Sequence, residues 1–92
     1  MRVEWSTHAL SYLKAISEYI EQNRTLDTAK RVVRRIYDAV QYLALLPNRG
    51  RPGRVLGTRE LPVPRLPYIV VYRVLRECLL VFNIVHGAQR WP

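Results

Sequence analysis

The side chains able to do chemistry are few, and most lie in the second half of the chain. Arg59, Arg73 and His86, with Glu60 or Tyr68 in support, are the set that could cleave a phosphodiester. Attack by a ribose 2′-hydroxyl needs a base, cations to hold the phosphate as charge develops, and an acid for the leaving oxygen. Each of these residues also has a plain structural role open to it. His86 could bond to backbone at a strand end, and Arg73 could pair with an acid on a helix. Arg59 and Glu60 are neighbours in an extended stretch, so they point to opposite faces and one of them meets the core or a cleft.

A second group suits contact rather than catalysis. Arg49, Arg51 and Arg54 project from a loop rich in Gly and Pro, where they could meet nucleic acid or an acidic protein partner. Charge alone does not separate those two. Arg90 and Trp91 close the chain. Trp91 could tuck against the helices, or stack on a base or a partner. Cys78 is the lone cysteine, excludes an internal disulfide and sits in an apolar run, which reads as a buried inert thiol. His8 falls at a helix start and reads as surface. Two histidines and one cysteine, far apart, give no metal-ligand spacing. Gly50, Gly53 and Gly57 match no phosphate-binding loop. Neither a metal nor a cofactor is expected.

The elements that must position these residues follow from periodicity. Met1 to Trp5 alternates and reads as a short strand. Ser6 or Thr7 supplies an N-cap for a helix over Thr7 to Gln22, with Ala9, Leu13, Ile16 and Ile20 as its apolar stripe. Thr25 or Asp27 caps a second helix to about Leu46, striped by Ala29, Val32, Val33, Ile36, Val40 and Leu43. Pro47 stops it, because a residue before proline avoids the helical region. Residues 48 to 57 read as loop. Thr58 to Val63 reads as a strand whose prolines, Pro62 and Pro64, place its end at an edge or bulge. Tyr68 to Leu75 and Cys78 to Val85 form a β-hairpin across an Arg76-Glu77 turn. The order is β-α-α-β-β-β, an α+β fold with an N-terminal helical hairpin packed on a small, mainly antiparallel sheet.

Length and charge bound the rest. The 92 residues make a single domain, 1–92, with one core. The net charge of +8 comes almost wholly from arginine, since Lys14 and Lys30 are the only lysines. Arginine forks onto phosphate and carboxylate, so anionic partners are expected. There is no signal peptide and no run long enough to span a bilayer, which points to the cytoplasm with no membrane role. Both faces of the last hairpin are apolar, with only Arg73 and Asn83 interrupting. Two helices cover one face, so the other is expected to form a cleft or to receive a partner, unless loop 48 to 57 folds over it.

Several segments together are similar to the RelE/ParE superfamily of type II toxins. They are Trp5-Ser6 with Ala9, Leu46-Pro47 to Gly50-Arg51, Gly57-Thr58-Arg59-Glu60-Leu61, the strand Pro67 to Val74, and the ending His86 to Pro92. The resemblance covers essentially the whole chain. It implies a cognate antitoxin that wraps the toxin, and operator DNA bound only through that antitoxin. The superfamily holds two activities on one fold: ribosome-dependent mRNA endonuclease, and poisoning of DNA gyrase. Nuclease members carry an arginine three residues before the tyrosine of the central strand, and basic groups just after the last strand. Here Ile69 takes the first position, and Gly87, Ala88 and Gln89 precede Arg90. The resemblance therefore favours a ParE-like action on gyrase. The alternative is an mRNA nuclease working through Arg59, Arg73 and His86.

Overall fold

The computed structural model describes residues 1–92. Strand β1 (Arg2–Trp5) leads into helix α1 (Thr7–Asn23) and helix α2 (Leu26–Leu45). A 3-10 turn at Pro47–Arg49 follows, then strands β2 (Arg51–Pro52), β3 (Arg59–Pro62), β4 (Tyr68–Val74) and β5 (Cys78–His86). They form one five-stranded sheet in the order β1-β5-β4-β3-β2. β1 runs parallel to β5 and every other pairing is antiparallel. The expected order and fold class stand, with one addition. Within the segment expected to be loop, Arg51 and Pro52 pair with Glu60 and Arg59 as a two-residue strand.

Capping residues explain where the helices begin. The Ser6 hydroxyl accepts from the Ala9 amide at 3.0 Å and donates to the Phe82 carbonyl at 2.9 Å. The Ser6 amide donates to Val81, so this one residue ends the β1 pairing and opens α1. The Thr25 hydroxyl caps α2 in the same way, accepting from Thr28 at 3.1 Å. The stripes then bury as their spacing requires: Ala9, Ile36, Val40 and Leu43 pack on Val70, Tyr72, Leu79, Val81 and Ile84 of the sheet.

The far face of the sheet departs from expectation. It is neither a cleft nor bare. Ile69, Val71 and Val85 are buried there beneath Phe82 and Trp91, and Glu60 and Asn83 are buried as well. Two features close it. A bulge between Val71 and Tyr72 makes the register skip Phe82, which joins Asn83 on this face. The tail then returns Trp91 onto Phe82, with ring centroids 6.2 Å apart, and the Arg54 guanidinium donates to the Trp91 carbonyl at 3.3 Å. Trp91 thus packs on the sheet and not against the helices. The apolar hairpin is sheltered on both sides by the chain's own residues, because a short tail can do what a third helix would otherwise do.

Candidate functional site

Glu60 organises the arginine loop. Its place on β3 opposite Val71 turns it onto the tail-covered face, where it is 1 % exposed. Oε2 accepts from the Arg54 amide at 2.9 Å, and Oε1 lies 3.4 Å from an Arg51 Nη and 3.5 Å from the Arg54 Nε. Burial pushes this carboxyl up. The Arg54 amide and the two guanidiniums outweigh it and hold the group below its ordinary value of 4.5. A carboxylate so enclosed cannot touch a target. Glu60, expected as a contact residue, is instead buried and bound to Arg51 and Arg54.

Arg73 shares this face. It sits on β4 with its guanidinium carbon 5.7 Å from the Phe82 ring centre, and it makes no ion pair with a helix. Its Nε and the Trp91 indole nitrogen are both buried without an acceptor. The face therefore gathers Arg51, Arg54, Arg73 and Trp91, with exposed Arg90 beside them in the tail.

Arg59 and His86 lie elsewhere. Arg59 pairs with Tyr72 on the helix-side face and donates to the Gly50 carbonyl at 2.7 Å and the Asn48 carbonyl at 3.4 Å. It is a clamp on the chain's own backbone. His86 pairs with Tyr68 at the other end of β4, four residues from Tyr72 or about 13 Å along the strand at roughly 3.3 Å per residue. Its ring stands edge-on to Tyr68 at 5.7 Å, and Nδ1 accepts from the Ala88 amide at 3.1 Å, the backbone role open to it from sequence. Burial, then the nearby Tyr19, raise the Tyr68 hydroxyl. The three residues of the nuclease alternative thus do not converge: two are on one face, far apart, and Arg73 is on the other. Ile69, the position at which the superfamily resemblance leads one to expect arginine in a nuclease, is buried with Val71 and Val85.

Arg49 faces a different feature, a groove of about 690 Å³ between α2 and the β3–β4 connection. Its lining includes Arg35 and Arg65, neither of which the sequence marked as functional. The readable signal was Val63-Pro64-Arg65-Leu66, a turn with proline second, whose third position takes positive φ when the turn is type II. Arg65 has φ +66°, and the Leu66 amide closes the turn on the Val63 carbonyl. No three His, Cys, Asp or Glu side chains come together as a metal site would require. Cys78 is buried and free.

Two helices on a mixed five-stranded sheet, in the order found here, are the architecture of the ParE-like fold. Comparison agrees at three levels. The family model described as the ParE toxin of the type II toxin-antitoxin system parDE matches residues 3–91. A Sinorhizobium fredii protein provisionally named toxin Y4kP is 44 % identical over 91 residues, covering 99 % of this chain and 93 % of the relative. Toxin RelE2 of Caulobacter vibrioides is 34 % identical over 88 residues, covering 96 % and 97 %. A chain from the solved chromosomal ParDE system of P. aeruginosa superposes with a TM-score of 0.87 at 27 % identity, over 94 % of this chain and 95 % of that one. The chain belongs to the ParE toxin family of type II toxin-antitoxin systems, and that family implies an antitoxin partner.

Proposed function

We propose that this toxin arrests growth in the cytoplasm by acting on DNA gyrase in the ParE manner and is neutralised by a cognate antitoxin. Operator DNA is then bound only through that antitoxin. The observation that carries the reading is the dispersal of the nuclease residues. A phosphoryl-transfer site needs its base, acid and cations around one phosphate, whereas Arg59 is occupied by backbone carbonyls, His86 lies at the opposite end of β4, and Arg73 is on the reverse face. Arg51, Arg54, Arg73, Arg90 and Trp91 form the surface that meets the target, with Glu60 setting the first two.

Expression without the antitoxin should halt division with induction of the DNA-damage response and accumulation of cleaved gyrase–DNA complexes. Codon-positioned mRNA cuts on translating ribosomes, with gyrase unaffected, would replace this reading with the nuclease one.

A further inference from the structure

The loop between β2 and β3 carries at its apex a side chain that stands clear of the rest of the molecule. Leu56 is 96 % exposed, against 78 % for Leu45, the next most open of the large apolar side chains, and it belongs to neither core cluster. Single exposed leucines are ordinary on helix faces and strand ends. What sets this one apart is the rigidity of the turn that presents it. The Thr58 amide closes Val55-Leu56-Gly57-Thr58 on the Val55 carbonyl at 3.1 Å, and the Thr58 hydroxyl donates to the same carbonyl at 2.6 Å. Gly57 has φ +83°, the value a type II turn requires at its third position, which puts Leu56 at the second. The Gly53 amide ties the base of the loop to the Thr58 carbonyl at 2.8 Å, and the Arg54 amide ties it to buried Glu60 at 2.9 Å.

Folding does not ask for leucine at this apex. The second position of such a turn suits most residues, proline above all, and a polar side chain would leave the same hydrogen bonds intact. An apolar tip that is already held in place loses little further entropy on entering a pocket, which is how a small contact becomes an anchor. Arg51 and Arg54 share the loop with their side chains open to solvent. Glu60 balances one of these two charges, so a single net positive charge remains beside the tip.

We propose that Leu56 is the anchor by which this toxin engages its protein target. It enters an apolar pocket whose rim bears carboxylates, and Arg51 and Arg54 pair with that rim. The proposal rests on the target-directed reading given above and adds to its arginine face a residue that supplies affinity by burial. Full burial of a leucine side chain is worth on the order of ten- to a hundredfold in binding. A nucleic-acid duplex suits the loop less well, because phosphate binding draws on several free cations and Glu60 takes up half of the charge here. A lipid surface also suits it less well, since one exposed leucine offers too little apolar area to hold a membrane.

The test uses the whole toxin, expressed without antitoxin to score growth arrest and purified to score inhibition of DNA supercoiling by gyrase. Leu56→Asp should lose arrest and weaken inhibition about thirtyfold, while Leu56→Met stays within about threefold of the parent. All three chains should melt within about 4 °C of one another, because the side chain packs on nothing. Arrest by Leu56→Asp at the parent's level, failure of Leu56→Met alongside it, or a clearly lowered melting temperature in Leu56→Asp would each overturn the anchor. So would binding of the parent to a gyrase-free DNA duplex or to phosphatidylglycerol vesicles that Leu56→Asp abolishes. Arrest by the parent without gyrase inhibition removes the gyrase reading, and loss or retention of arrest in Leu56→Asp then decides the anchor by itself. A parent that arrests nothing removes both.

Discussion

At Glu60 one buried carboxylate ties Arg51 and the Arg54 backbone to the sheet, and its protonation should be visible in stability. The folded group lies below its ordinary value, so its contribution is complete above about pH 4.5 and is lost as pH falls through the lower folded value. Glu60→Gln should therefore destabilise the protein at neutral pH by about 1–2 kcal/mol, discounted because Arg51 and Arg54 are well exposed. It should also flatten the loss of stability between pH 5 and pH 3 relative to the parent, in roughly the carboxylate range. Denaturant midpoints measured across that range check both statements. An unchanged slope would mean that the carboxylate is not the group responsible. That Arg59 and Glu60 point to opposite faces was legible from strand alternation alone. Which of them was buried was not, because an arginine and a glutamate are both poor candidates for burial until their partners are known. Here the Arg54 amide decides it.

Among the elements, the helices and the β4–β5 hairpin were readable because period and capping agree there with tertiary packing. The segment 47–57 was not. Its order comes from residues distant in sequence: the Tyr72 hydroxyl donates to the Pro47 carbonyl at 2.7 Å and accepts from the Gly50 amide at 2.8 Å, while Arg59 holds the Gly50 carbonyl. A Cβ at Gly50 would come within 2.6 Å of the Tyr72 oxygen, so glycine is required there for room and not for an unusual φ. Burial raises the Tyr72 hydroxyl, with the Gly50 amide and Arg59 acting against it, so it stays protonated and able to donate throughout the neutral range. Tyr72→Phe leaves the Pro47 carbonyl and the Gly50 amide without this partner and should cost about 2 kcal/mol, a fall of roughly 8–16 °C in a domain of this size. Hydrogen exchange should show the loss concentrated in residues 50–53. Uniform exchange, or none, would place the anchor elsewhere.

For the molecule as a whole, the covered sheet face alters the basis for expecting a partner. An apolar hairpin in excess of its two-helix cover reads, from sequence, as a surface awaiting another chain. The bulge at Phe82 and the return of Trp91 satisfy that need internally, and neither is visible in residue patterns, since a skipped residue obeys no period. The argument for a partner now rests on family membership and on the unpaired arginines. The seal is nonetheless imperfect, because the Arg73 Nε and the Trp91 indole N–H are buried without acceptors, which offsets part of the gain from burial. Trp91→Ala should lower stability by about 1–2 kcal/mol, less than a fully buried tryptophan would, and should raise binding of a hydrophobic dye. A variant with the parent's melting temperature and dye response would show that the tail does not hold this face.

Pro62 and Pro64 carry a consequence of another kind. Where β2 ends, the rim of β3 offers no N–H at Pro62, and the neighbouring Val63 amide is already spent on the Tyr68 carbonyl. Backbone stitching is indifferent to side-chain identity, so a rim that permits it would accept any extended strand. A rim without that amide leaves recognition along this border of the sheet to side chains, which discriminate where backbone does not.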